Sequence, residues 1–123
     1  MICKYSIVRL QPSVETGEFV NVGMVFYFIE ANEFYFKLLK KDELSRAISF
    51  FNWINKKTLV DALEIIENEC TRIKDLNPIK ESQFIDLIKP QEGIIQYSNC
   101  RVHSFKCSID EIVSKLFQGL IKK

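Results

Sequence analysis

The sequence predicts an α+β fold in which an antiparallel β-meander packs against helices on one of its faces. Apolar and polar side chains alternate with the period of a strand over the first 39 residues, and turn-forming residues divide them into three segments. From residue 42 onward, the apolar period becomes that of an amphipathic helix. No repeat, low-complexity segment or Gly/Ser linker divides the 123 residues, so we expect a single domain over 1–123.

The three predicted strands cover residues 3–10, 19–29 and 33–39. Pro12 and Gly17 separate the first two, and such residues are typical of turns. Strands joined by short turns pair as antiparallel neighbours, which predicts the meander.

Helices follow the strands. The first is predicted to begin at Asp42 as its N-cap, and the clearest helical period covers residues 58–74. A short helix is predicted over 82–89, one or two strands within 93–107, and a last helix after Ser108, which forms an S-x-x-E capping box. The apolar stripe of the first helix consists of Leu44, Ala47, Ile48 and Phe51.

Composition and charge exclude several classes of protein. Lys and Arg total 17 and Asp and Glu total 16, so the net charge of +1 gives no electrostatic case for nucleic acid. No apolar run reaches the roughly 18 residues of a membrane-spanning helix. The N-terminal segment MICKYSIVRL is charged and alternating, unlike a signal peptide. We therefore expect a cytoplasmic protein whose four cysteines are reduced thiols.

The stretch TGEFVNVGMVFYF, residues 16–28, places a carboxylate, an amide and a glycine in an otherwise apolar strand. If the preceding loop is centred near Glu15, Arg9 lies opposite Asn21, Ile7 opposite Gly23 and Tyr5 opposite Val25, because this register faces the aliphatic sets to the helices. The opposite, open face then carries Tyr5, Ile7, Arg9, Phe19, Asn21, Gly23, Val25 and Tyr27.

Two interpretations of these polar residues stay open. In the structural one, Asn21 and Glu18 pair with Arg9 and fix the hairpin register, while Gly23 permits a bulge. In the functional one, Arg9 and Asn21 present hydrogen-bond donors to a ligand or to the backbone of a partner.

The segment YSIVRLQPSVETGEFVNVGMVFY resembles the bacterial family catalogued as domain of unknown function 3037. That family is marked by a Y-S-x-V-R strand, a short loop and G-E-x-x-N-V-G. The closing segment LIKPQEGIIQYSNCRVHSFKCSIDEIVSKLF is also similar. The resemblance implies a small protein without an established catalytic activity, often encoded beside a HipA-like kinase. The matching positions are Tyr5, Ser6, Val8, Arg9, Gly17, Glu18, Asn21, Val22 and Gly23.

Two further groups of residues are candidate sites. Cys100, His103 and Cys107 are candidate zinc ligands, and His103 with Cys107 is a candidate nucleophilic pair. Zinc needs a fourth ligand and the pair needs an orienting residue, so we expect neither metal nor cofactor. A local basic cluster, expected to be solvated but able to contact phosphate, consists of Lys37, Lys40, Lys41 and Arg46.

We therefore expect a non-catalytic interaction or regulatory module that binds through its open sheet face, since large apolar faces are typical of interfaces. The partner is a HipA-like kinase, as the resemblance implies for a toxin–antitoxin or phage-defence setting, or a second copy. The alternative is a small enzyme or ligand-binding domain in which Arg9 holds an anion and Glu18 acts as base or metal ligand beside Asn21. The expected interface consists of Tyr5, Arg9, Glu18, Asn21, Gly23 and Tyr27.

Overall fold

The computed structural model describes residues 1–13, 15–76, 78–90 and 93–122. Within them, the five strands are β1 (Ile2–Leu10), β2 (Val20–Phe28), β3 (Glu33–Leu38), β4 (Ile95–Tyr97) and β5 (Arg101–Ser104). The four helices are α1 (Ser45–Phe50), α2 (Lys56–Lys74), α3 (Glu81–Leu87) and α4 (Ile109–Leu120), and a 3₁₀ turn spans Lys41–Glu43. Every predicted strand and helix is present, with bounds that differ by a few residues.

The strands form one antiparallel sheet with β1 at its centre. The order is β3-β2-β1-β4, and β5 pairs with the other end of β1 beside β4. The first three strands are consecutive neighbours, as a meander requires. The α+β class and the antiparallel meander are therefore confirmed.

A β-bulge interrupts the pairing of β1 with β2. Arg9 lies opposite Asn21, as predicted, and Val8 lies opposite Gly23. Val22 is then the extra residue of β2, with no residue facing it on β1, which is the definition of a bulge. The predicted bulge is present, and so is the predicted pairing of Arg9 with Asn21, whereas Glu18 makes no ion pair with Arg9.

Beyond the bulge, the predicted register and faces are wrong by one residue. Ile7 faces Met24 and Tyr5 faces Phe26, instead of Gly23 and Val25. One extra residue inverts the alternation of side chains for the rest of the strand.

Helices cover both faces of the sheet, so the predicted one-sided packing is also wrong. Both alternating sets of β1 and β2 side chains are apolar, and each has its own helical cover. On one face α1, α2 and α3 bury side chains that include Val8, Leu10, Val25, Tyr27, Phe34, Leu59 and Phe84. On the other face α4 buries side chains that include Cys3, Tyr5, Ile7, Met24, Phe26, Phe28, Ile112 and Phe117.

A buried serine pair joins β4 and β5 into one border along β1. The Ser6 hydroxyl donates to the Ser98 carbonyl oxygen at 2.6 Å, and the Ile7 N–H donates to the Ser98 hydroxyl oxygen at 2.8 Å. These bonds satisfy buried polar groups at the point where the pairing of β1 changes register, between β4 and β5.

The helix starts follow their caps. The Asn55 side chain accepts the Lys57 N–H at 2.8 Å, so α2 begins earlier than predicted. The 3₁₀ turn occupies the predicted first turn of α1, which begins only after Leu44 instead of after Asp42. The predicted cap of α4 is confirmed, because the Ser108 hydroxyl oxygen accepts the Glu111 N–H at 3.3 Å.

Candidate functional site

Arg9 is held in a fixed position on the face of the sheet that α4 partly covers. Its Nε donates to the Asn21 Oδ1 at 3.3 Å, and its Cζ lies 4.1 Å from the centroid of the Phe19 ring. The bulge places Asn21 opposite Arg9, and Phe19 immediately precedes β2. No described residue accepts a hydrogen bond from the two terminal nitrogens of Arg9. The guanidinium is therefore oriented by the protein while four of its five N–H donors, those of the two terminal nitrogens, remain available.

The surroundings of Arg9 are electropositive. Partial burial lowers the pKa of the Arg9 guanidinium, and repulsion from Arg101 lowers it further. An Arg side chain keeps its charge at neutral pH in spite of such a shift. In the described part of the chain, no carboxylate forms an ion pair with Arg9 or Arg101.

Phe19 and Phe50 line one surface depression of about 280 Å³, together with Val20, Asn21 and Arg46. The exposed fractions of Phe19 and Phe50 are 42% and 50%, unusually high for aromatic residues in a small domain. Arg46 forms no ion pair with a described carboxylate. We call Arg9, Phe19, Asn21, Arg46 and Phe50 together the Phe19 surface.

A third exposed aromatic residue lies beside this surface. The ring of Trp53 is 65% exposed and packs edge-on against Phe51, whose ring also packs edge-on against Phe50. Phe51 itself is buried in the core, so it anchors both exposed neighbours. The edge-on contacts with the buried Phe51 ring therefore connect the two exposed rings of Phe50 and Trp53 to the core.

Of the predicted site residues, the structure brings Arg9 and Asn21 together and leaves Glu18 apart. The Glu18 side chain is exposed and forms no ion pair with Arg9. Its backbone N–H donates to the Thr16 hydroxyl oxygen at 3.4 Å. Of the three residues in the alternative hypothesis, Arg9 and Asn21 therefore share a hydrogen bond, and the Glu18 side chain forms no hydrogen bond with a described residue.

The expectation of one open face with Tyr5, Gly23 and Tyr27 is wrong. Tyr5 is buried against α4, while Tyr27 is buried on the other face, where its hydroxyl bonds with the Asn32 side chain. The bulge at Gly23 inverts the alternation, which sends these two tyrosines to opposite sides of the sheet. Gly23 itself is buried under Leu38 of β3.

Two members of the Phe19 surface were missed from the sequence. Phe50 lies outside the apolar stripe that the sequence predicts for the first helix, which ends at Phe51, so an exposed Phe was a detectable feature. The sequence places Arg46 in a basic cluster that is expected to be solvated. Other members of that cluster have separate contacts, since Lys41 pairs with Glu64 at 2.8 Å and Lys37 lies 4.9 Å from the Phe117 ring centroid.

The cysteines and the histidine show no assembled site. All four cysteines are free, and Cys3 and Cys70 are buried. Among the described residues, no three His, Cys, Asp or Glu side chains are grouped as a metal site requires. The ring of His103 instead packs at 4.8 Å from that of Phe105.

A comparison with known protein families identifies the family of this chain. The model of a family described as "Protein of unknown function (DUF3037)" matches residues 5–121. The chain belongs to this family. No curated protein and no solved structure is significantly similar to it.

Several residues that carry the resemblance to DUF3037 coincide with structural features of β1 and β2. Ser6 binds Ser98, Arg9 binds Asn21, and Gly23 lies at the bulge. Gly17 has a φ of 70°, a left-handed conformation that favours glycine. No described helix of this DUF3037 chain has the length and apolar character needed to cross a membrane.

Proposed function

We propose that the protein is a non-catalytic interaction module that binds a partner protein through the Phe19 surface. The observation that carries this proposal is the pairing of two exposed aromatic rings, Phe19 and Phe50, with two arginines that lack a described acidic partner. Aromatic residues and Arg are enriched in protein interfaces and among the residues that contribute most to binding.

The fixed position of Arg9 supports the proposal energetically. Binding normally costs the side-chain freedom of the residues that become ordered. The contacts of Arg9 with Asn21 and Phe19 have already ordered its guanidinium in the free protein. A partner carboxylate that accepts from the terminal nitrogens of Arg9 would therefore gain a two-point hydrogen bond at a lower entropic cost.

The expected partner segment presents an apolar side chain to the depression and an acidic side chain to Arg9 or Arg46. The family resemblance suggests a HipA-like kinase as the protein that carries this segment, in a toxin–antitoxin or phage-defence setting. A cytoplasmic location belongs to the same proposal.

The first test measures complex formation with a HipA-like kinase encoded beside the protein. Size-exclusion chromatography with light scattering gives the masses, and titration calorimetry gives the affinities of wild type, Phe50→Asp and the control Ile65→Asp. Ile65 is 67% exposed on α2, away from the Phe19 surface, so its variant controls for a new surface charge. We expect Phe50→Asp to weaken binding by about 30-fold, as loss of a central aromatic contact does.

Equal weakening by both variants, or by neither, contradicts the assignment of the Phe19 surface. A dimer of the free protein that Phe50→Asp dissociates would identify a second copy as the occupant instead of the kinase. A monomer that binds no kinase in the wild-type form refutes the kinase as partner.

A further inference from the structure

The edge of the sheet formed by β5 has open main-chain groups. Met1 and Phe105 exchange both backbone hydrogen bonds, at 2.6 Å and 2.8 Å. Since antiparallel pairs alternate, His103 and Arg101 also direct their N–H and C=O groups toward β1, opposite Cys3 and Tyr5. The N–H and C=O groups of Val102 and Ser104 therefore point away from the sheet.

No described residue covers this edge. All four residues of β5 are exposed, and the side chain of Val102 is 59% exposed. Outside the β1 ladder, no described backbone group bonds to Val102 or Ser104. Unpaired edge groups of this kind are a template for one more strand.

The charges around the edge indicate which kind of strand fits. Residues 100–106 contain Arg101 and Lys106 and no acidic residue. Neither cation forms an ion pair in the described part of the chain. Two copies of residues 100–106 would bring together four cations and no carboxylate of their own, and the nearby Glu81 is already paired with Lys4 at 3.1 Å. Self-pairing of β5 is therefore electrostatically unfavourable.

We propose that the β5 edge accepts an extended acidic segment of another protein as an additional strand of the sheet. Val102 and Ser104 supply the main-chain hydrogen bonds, as in other cases of β-strand addition. Val102 supplies an apolar contact, and Arg101 and Lys106 pair with carboxylates. No residue of β5 belongs to the Phe19 surface, although Arg101 lies close enough to Arg9 to repel it, and the proposal stands whether or not that surface binds a protein.

The decisive variant is Val102→Pro. Proline removes the N–H that points to solvent and leaves the hydrogen bonds to β1 in place, which is the position that a strand tolerates for proline. Val102→Thr keeps the N–H and serves as the matched control. His103→Pro, by contrast, removes a bond to β1 and should destabilise the fold, which checks the assignment of inward and outward groups.

The test uses the acidic peptide Ac-TEVTVET-amide and its basic counterpart Ac-TKVTVKT-amide as probes. NMR follows amide shifts and hydrogen exchange of the whole protein up to about 5 mM peptide, where even a millimolar site is mostly filled. We expect the acidic peptide to slow exchange at Val102 and Ser104 in wild type and Val102→Thr, but not at Ser104 in Val102→Pro. Arg101→Glu should weaken binding of the acidic peptide and strengthen binding of the basic peptide.

Three results overturn the proposal. The first is that the acidic peptide slows exchange at neither Val102 nor Ser104 of the folded wild-type protein. The second is equal protection by both peptides, since the acidic preference would then be wrong. The third is protection without peptide that grows with protein concentration and disappears in Val102→Pro, because the occupant would then be a second copy. A failed kinase titration with successful peptide protection refutes only the proposed function.

Discussion

Gly23 shows how a single missing side chain shapes the sheet. A Cβ at this position would lie 2.4 Å from the Leu38 Cδ2 and 2.8 Å from the Lys37 carbonyl oxygen. The Leu38 side chain can rotate away, but the carbonyl oxygen belongs to the backbone of β3. Glycine therefore permits the close approach of β2 and β3 next to the bulge that aligns Asn21 with Arg9.

Gly23→Ala should destabilise the protein by about 1–3 kcal/mol, because the added methyl group overpacks a site that includes backbone. Urea unfolding followed by circular dichroism measures the change. The control is Gly119→Ala, at a position of α4 where a Cβ would meet nothing within 4 Å. That variant should stabilise the protein by about 0.5–1 kcal/mol, since alanine favours the helix. If Gly23→Ala stabilised the protein, as Gly119→Ala is expected to do, the close approach of β2 and β3 would not require glycine at position 23.

At the scale of elements, the border made by β4 and β5 depends on Ser98. This residue lies where the pairing with β1 changes register, and its hydroxyl oxygen accepts the Ile7 N–H at 2.8 Å. The Ser98 N–H donates in turn to the Ile7 carbonyl oxygen at 2.9 Å. One side chain thus replaces a missing backbone partner and lets two short strands continue as one border.

Ser98→Ala should cost about 1–3 kcal/mol, because it leaves the buried N–H of Ile7 without an acceptor. Ser104→Ala, on the exposed part of the same border, should change stability by no more than about 0.5 kcal/mol. Hydrogen exchange gives a local readout, and the Ile7 amide should exchange faster in Ser98→Ala alone. Unchanged exchange at Ile7 would mean that another group takes over as acceptor.

For the whole molecule, periodicity predicted the elements but not how they face each other. The meander, the long helix and the Ser108 cap follow from local patterns, and the pairing of Arg9 with Asn21 follows from the loop length. Local patterns do not predict which face each side chain of β2 occupies beyond Gly23. One inserted residue inverts the alternation of all later side chains, and a glycine indicates only that a bulge is allowed at its position. Periodicity alone also does not settle the exposure of Phe50. Either Phe50 or Phe51 could enter the core, and tertiary packing places Phe51 there.

The two cores share one sheet, so we expect them to open together. Cys3 lies in the core under α4 and Cys70 in the core under α1–α3, and burial raises the pKa of each thiol to about 12. At pH 8 both thiols are protonated and shielded in the native state, and unfolding returns each pKa to its ordinary value near 8.5. In a Cys100→Ser/Cys107→Ser background, iodoacetamide should therefore label both positions with the same dependence on urea, which mass spectrometry can resolve by peptide. The strands β1 and β2 contribute side chains to both cores. Undocking of α4 would therefore expose one face of the same strands against which the other helices pack, and this should destabilise both cores. Labelling of Cys3 at lower urea than Cys70 would show instead that α4 undocks alone and that the two faces are separate cooperative units.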